Sequence, residues 1–309
     1  MGFSLVFPGQ GSQSVGMMQA YGDLPEIRAT FDEASAVLGQ DLWHLVTQGP
    51  ETELALTVNT QPVMLVAGVA VFRAWQASAG RLPACLAGHS LGEYTALVAA
   101  GSLAFADAVR LTRYRAEIMQ QAVPAGVGGM AAILGLGDED VRAACLEAAA
   151  GEVLEPANFN SPGQVVIAGH RSAIERGVEA AKARGAKRAI PLAMSVPSHC
   201  SLLKPAARLL QHYLEAVPLQ APTIPVIHNA TVSEASTPGA IREALVQQLY
   251  SPVRWVETIQ AMAARGVTHV AECGPGKVLA PLVKRIQEGM QGLALNDAAA
   301  LASARDALV

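Results

Sequence analysis

Charge is scarce in this chain. Only 16% of its 309 residues are Asp, Glu, Lys or Arg, and the formal net charge is −4. A chain so balanced is not built to grip nucleic acid or an anionic membrane as its main partner. Cysteine is equally sparse. Cys85, Cys145, Cys200 and Cys273 stand far apart, so no pair has metal-ligand spacing, and a chain of this size has no need of disulfide staples. A reduced, cytosolic setting is expected. Long apolar runs are missing too: the longest, Pro62 to Phe72, is about 11 residues and too short to span a bilayer. The start, Met-Gly-Phe-Ser-Leu-Val, has no basic stretch of the secretory kind, and Val6 stands where a myristoylation signal places Ser or Thr. No repeat or low-complexity linker breaks the chain. What is abundant is apolar material, 51% of residues, enough for one large core or one core with a smaller insert.

The order of elements gives the fold class. A short strand over 3–7 runs into the irregular loop Pro8-Gly-Gln-Gly-Ser-Gln13. Helical spacing follows over 25–38 and 61–77, then a buried strand over 82–87, a helix over 91–100 and another over 105–123. Strand, sharp glycine turn and helix in that order belong to an α/β sheet with parallel strands. The texture then changes. Strands are expected over 130–134, 154–158, 164–168 and 189–194, with helices over 138–150 and 172–183 and a hairpin turn at Asn160-Ser-Pro-Gly163. That is a βαββαβ, ferredoxin-like unit of roughly 70 residues. The remainder alternates again: helices over 202–217, 238–249 and 253–265, strands over 225–228 and 269–272. The expected architecture is a large parallel-sheet subdomain, 1–125 and 197–309, carrying an inserted small subdomain, 126–196.

Gly88-His-Ser-Leu-Gly92 fits G-x-S-x-G with a strand before it and a helix after it. A tight turn of this kind lifts Ser90 Oγ above the sheet edge. It also places the serine at a helix N-terminus, where unpaired amides favour an oxyanion; the Leu91 N–H is the natural donor. The same five residues are compatible with a plain glycine turn. A reactive serine needs a base, and the chain has seven histidines. His89 adjoins the serine and points away from its Oγ. His199, in Ser195-Val-Pro-Ser-His-Cys200, sits in a loop between elements, where catalytic groups concentrate. On this reading alone each histidine could equally be structural.

Three patches together resemble the malonyl-CoA:acyl carrier protein transacylases of bacterial fatty acid synthesis: Phe7-Pro-Gly-Gln-Gly-Ser-Gln13, Gly88-His-Ser-Leu-Gly-Glu-Tyr94 and Val196-Pro-Ser-His199. Asn158-Phe-Asn-Ser-Pro-Gly-Gln-Val-Val-Ile-Ala-Gly169 and Glu272-Cys-Gly-Pro-Gly-Lys277 extend the resemblance over about residues 3–286. It implies an α/β-hydrolase-like large subdomain with a ferredoxin-like small one. It implies Ser90 as acylated nucleophile, His199 as base, and the Gln10 and Leu91 amides as oxyanion hole. Arg115 would bind the free malonyl carboxylate, the main-chain carbonyl of Gln248 would orient the histidine, and Gln61, Asn158 and Asn160 would line the site. Spacing alone cannot choose Arg115 over Arg110 and Arg113 on the same helix. The resemblance also implies a Ser–His pair without a triad carboxylate, no metal or cofactor, and malonyl-CoA and an acidic acyl carrier protein as partners. Lys182, Arg184, Lys187, Arg188, Lys277, Lys284 and Arg285 are the basic residues that could receive that carrier. Rival readings are a serine esterase or thioesterase, a non-enzymatic carrier-binding subunit, and a transacylase serving malonate decarboxylation or polyketide synthesis.

Overall fold

A computed structural model describes residues 2–124, 126–192 and 196–308. Two sheets organise it. The first is five-stranded, built from β1 (Gly2–Phe7), β2 (Leu86–Gly88), β7 (Val226–Ile227), β8 (Val267–Glu272) and β9 (Gln291–Ala294) in the order β7-β2-β1-β8-β9. Every neighbouring pair is parallel. The second is four-stranded and antiparallel, from β3 (Gly128–Leu134), β4 (Leu154–Ser161), β5 (Gln164–His170) and β6 (Arg188–Pro191) in the order β4-β5-β3-β6. With α7 (Asp138–Ala149) after β3 and α8 (Arg171–Ala183) after β5, this is the ferredoxin-like arrangement.

Around the parallel sheet lie α1 (Pro25–Leu38), α2 (Leu42–Gln48), α3 (Glu51–Leu54), α4 (Thr57–Ala77), α5 (Gly92–Ala99), α6 (Phe105–Ala122), α9 (Lys204–Glu215), α10 (Pro238–Tyr250), α11 (Trp255–Ala264), α12 (Ala280–Ile286) and α13 (Ala298–Ala307). The apolar residues of α4 run all the way round it, so it can only be a core helix. It is buried along nearly its whole length and packs against α1, α5 and α6. The main hydrophobic cluster joins β1 and β2 to α1, α4, α6 and α9, while the small subdomain closes its own cluster under α7 and α8. No helix among the described residues is long and apolar enough to cross a membrane.

Three expectations shift in the structure. The strand expected over 82–87 is only Leu86–Gly88, because Leu82 is exposed and Pro83 has no N–H to give a ladder. The hairpin turn expected at 160–163 tightens to Pro162 and Gly163, with Gly163 at φ 70°, so Asn160 joins Asn158 on β4 itself. The strand expected over 189–194 is Arg188–Pro191, and its predicted end at 193–194 lies outside the described residues. Helices α2, α3, α12 and α13 and strand β9 carry too short or too neutral a pattern to have been anticipated.

The loops that leave the carboxyl ends of β1 and β2 meet above the sheet edge. In an open parallel sheet this edge is where ligands bind.

Candidate active site

The turn after β2 is shaped by glycine. A Cβ on Gly88 would stand 1.8 Å from the Gly92 carbonyl carbon, and one on Gly92 would stand 2.1 Å from the Phe7 carbonyl oxygen. Backbone meets backbone at both places, so no side chain can move aside. Between them Ser90 sits at φ 53°, in the left-handed region that a non-glycine residue enters only when its surroundings hold it there. Asn229, just past β7, supplies that hold. Its Oδ1 accepts the Ser90 N–H at 2.7 Å and its Nδ2 donates to the Gly88 carbonyl at 2.7 Å.

Ser90 Oγ lies 2.7 Å from His199 Nε2. His199 itself is at φ 62°, and its N–H donates to the Leu249 carbonyl. Its Nδ1 lies 2.8 Å from the Gln248 main-chain oxygen, which can only accept, so the proton rides on Nδ1 and Nε2 faces the serine as an acceptor. Burial holds the imidazole pKa down to about 3; the charge of Arg115 adds to the effect, and the bond to the Gln248 carbonyl opposes it. The ring is therefore neutral and ready to take a proton throughout the physiological range.

Next to this pair the Pro8–Gln13 loop crosses the turn. A Cβ on Gly9 would be 2.5 Å from the His89 carbonyl oxygen and 3.7 Å from the Leu91 amide nitrogen. Neither the Gln10 nor the Leu91 N–H has a hydrogen-bond partner among the described residues. The Gln10 side chain is anchored separately, on Thr57 Oγ1.

Gln10, Ser90, Leu91 and His199 line one cavity of about 210 Å³, which reaches Arg115. The three arginines of α6 part ways here. Arg110 pairs with Asp107 on the exposed face, and Arg113 donates to Gln40. Arg115 turns inward and is only 1% exposed. Its Nη1 donates to Gln61 Oε1 at 2.7 Å and its Nη2 to Gln248 Oε1 at 3.1 Å, while Nε has no partner. Its guanidinium lies 5.4 Å from the Tyr94 ring centroid. Desolvation pulls its pKa below the usual arginine value. Asn158 lines the cavity from β4. Asn160 does so as well, with Oδ1 2.8 Å from His89 Nε2, and His89 packs against Trp255. Away from these polar groups the wall turns apolar, through Met130, Val166, Leu192, Val278 and Leu282. The structure thus gathers Ser90, His199, Gln10, Leu91, Arg115, Gln61, Asn158 and Asn160 around one cavity, with Gln248 directly behind the histidine and the arginine.

Sequence reasoning missed a buried polar cluster beneath the turn. Glu93 Oε1 is 2.7 Å from His228 Nδ1, and Glu93 Oε2 accepts from the Asn229 N–H at 2.9 Å and from Gln248 Nε2 at 3.0 Å. Glu93 and Asn229 are fully buried and His228 nearly so. The only signal available was Glu93 itself, an acid in an otherwise apolar helix.

The profile of the acyl transferase domain family matches residues 4–302. A malonyl CoA-acyl carrier protein transacylase of Salmonella typhimurium is 55% identical over 303 residues, 98% of each chain. The crystal structure of an acyl-carrier-protein S-malonyltransferase from Burkholderia pseudomallei is 58% identical and superposes with a TM-score of 0.97, over 99% of this chain and 100% of that one. A malonyl-transacylase solved in complex with a type II PKS acyl carrier protein is 51% identical with a TM-score of 0.98, again over 99% and 100%.

Proposed function

The chain belongs to the acyl transferase family, and from its site we infer that it is a malonyl-CoA:acyl carrier protein transacylase. It passes malonyl from coenzyme A to the phosphopantetheine thiol of an acyl carrier protein, supplying fatty acid synthesis. The observation that carries this reading is one cavity holding both a serine hydrogen-bonded to a neutral histidine and a buried arginine whose hydrogen-bond partners among the described residues are two glutamines and no carboxylate.

The cycle is ping-pong. Ser90 Oγ attacks the thioester carbonyl as His199 Nε2 takes its proton. The carbonyl oxygen, now negative, sits against the Gln10 and Leu91 amides. The C–S bond breaks, the proton passes to the coenzyme A sulfur, and malonyl remains as an ester on Ser90. The carrier's thiol then gives its proton to His199, attacks that ester and regenerates the serine. The main-chain carbonyl of Gln248 keeps the imidazole in the tautomer both halves need. Arg115 takes the free carboxylate in a forked pair, with Gln61, Asn158 and Asn160 framing the acyl group. Each step is a proton or acyl transfer, so the cycle calls on no metal or redox cofactor. The apolar wall suits the pantetheine arm, and the cytoplasm, where both substrates are made, is the proposed location.

The test is intact-protein mass spectrometry after mixing with malonyl-CoA. One malonyl adduct is expected on the parent, none on Ser90→Ala, and discharge by a pantetheine thiol. A folded parent that takes no adduct overturns the reading. Thiol-independent loss of the adduct to water replaces it with a thioesterase. The similarity to a transacylase bound to a polyketide carrier favours one second reading, the same reaction serving a polyketide carrier. Comparing the two kinds of carrier as acceptors separates them.

A further inference from the structure

Arg115 is a buried cation that no carboxylate among the described residues touches. Such a charge is costly unless something balances it. The balance here is indirect. Gln248 stands between Arg115 and Glu93: its Oε1 accepts from Arg115 Nη2 at 3.1 Å, and its Nε2 donates to Glu93 Oε2 at 3.0 Å. The same Nε2 donates to the Ser90 carbonyl at 2.9 Å. Glu93 is in turn held in place by bonds to His228 and Asn229. One glutamine therefore shows its carbonyl to the cation and its amide to the anion.

We propose that the Gln248 side chain and Glu93 form a relay that sets the acyl specificity of this enzyme. Glu93 supplies the counter-charge of Arg115 at one side chain's remove. The guanidinium is fixed and compensated, yet each glutamine takes only one hydrogen of Nη1 or Nη2, so Nε and the remaining Nη hydrogens are left for the carboxylate of the acyl group. An acid placed directly at position 248 would satisfy the arginine and compete with the substrate. Gln248 is thus a positioning residue twice over: through its main-chain carbonyl for His199 and through its side chain for Arg115. This inference rests on the malonyl-transfer reading above.

The experiment measures Ser90 acylation by rapid quench with malonyl-CoA and with acetyl-CoA, on the parent, Gln248→Glu and Gln248→Met. All three keep the main-chain carbonyl that holds His199. In Gln248→Glu the new carboxyl takes the place of the amide beside Glu93, so the two acids share one proton and one negative charge, which then lies directly on Arg115. The ratio of kcat/KM for malonyl over acetyl is expected to fall about 10–100-fold, the value of one charge-assisted hydrogen bond, with most of the malonyl loss in KM. A smaller fall in the same direction is expected in Gln248→Met, which carries the test by itself if the glutamate variant does not fold. A ratio that holds while both rates drop together means that the side chain only supports the nucleophile turn, and overturns the relay. A ratio and rates that both hold overturn it as well. Failure of the parent to acquire malonyl on Ser90 overturns the function itself, and the relay with it, which keeps the two failures distinct.

Discussion

Removing the Arg115 guanidinium tests the discrimination between a carboxylated and a plain acyl group. Arg115 is 1% exposed and anchored by two neutral side chains, so a substrate carboxylate would be its first direct anionic partner. Losing one member of a buried, hydrogen-bonded charge pair costs about 2–5 kcal/mol. At 1.36 kcal/mol per tenfold, that is roughly 30- to 5,000-fold in kcat/KM for malonyl-CoA. Acetyl-CoA pays the opposite way. In the parent its methyl group would leave the guanidinium desolvated and unpaired, and Arg115→Ala abolishes that penalty, so the acetyl rate is expected to hold or rise. The assay is acylation of Ser90 with each thioester on the same protein preparation. Any general damage from the cavity left at position 115 acts on both substrates and cancels in the ratio. Arg115→Lys is expected to fall between parent and alanine, because an ammonium keeps the charge but not the planar fork. If Arg115→Ala slows malonyl and acetyl transfer by the same factor, the arginine is a structural cation and the specificity argument fails.

The pH dependence follows from His199, whose pKa in the folded protein is about 3 against an ordinary 6.5. Between those values the unfolded chain binds the extra proton. His199 thus favours the native state fully above 6.5 and progressively less on acidification, by up to about 1.4 kcal/mol per pH unit; urea titrations from pH 7 to 4 are expected to be steeper for the parent than for His199→Ala. The same depression predicts no loss of serine acylation around pH 6.5, and a limb there in the kcat/KM profile would contradict a neutral, buried base. Gly92→Ala is expected to cost about 3 kcal/mol or more, or to prevent folding, since its Cβ would sit 2.1 Å from a backbone oxygen; Gly239→Ala, in α10 with nothing within 4 Å, is the neutral or stabilising control for thermal melts. For the carrier, Lys182 is already paired with Glu179 on α8, and Arg184, just past that helix, with Glu147 of α7, whereas Lys277 and Lys284 have no ion pair among the described residues and flank the cavity-lining Val278 and Leu282. Lys277→Glu and Lys284→Glu are expected to raise KM for the acidic carrier several-fold and to weaken its salt dependence, while Lys182→Glu leaves both near the parent values.

What could be read from the sequence divides along a physical line. The serine turn was legible because its constraint is local: Gly88 and Gly92 are required by backbone atoms within a few residues of Ser90 and by the end of β1, and glycine spacing records that directly. The ferredoxin-like insert was legible for the same reason, since its pattern of strands and helices is periodic in its own residues. Arg115 was not. Arg110, Arg113 and Arg115 are equivalent as spacing, and what separates them is that α6 turns one of its faces toward α4, bringing Arg115 onto Gln61. Still less legible was the polar cluster under the turn. Glu93 stands in the first turn of α5, where an acid needs no explanation beyond the helix dipole, and so the ordinary reading concealed it. Its partners come from the end of β7 and from α10, more than a hundred residues further along the chain. The requirement they answer, that every buried donor and acceptor find a partner, has no period and no fixed offset. That is why a resemblance spanning the chain could supply a role for the Gln248 carbonyl while the work of its side chain emerges only when Arg115, Ser90 and Glu93 are seen around it.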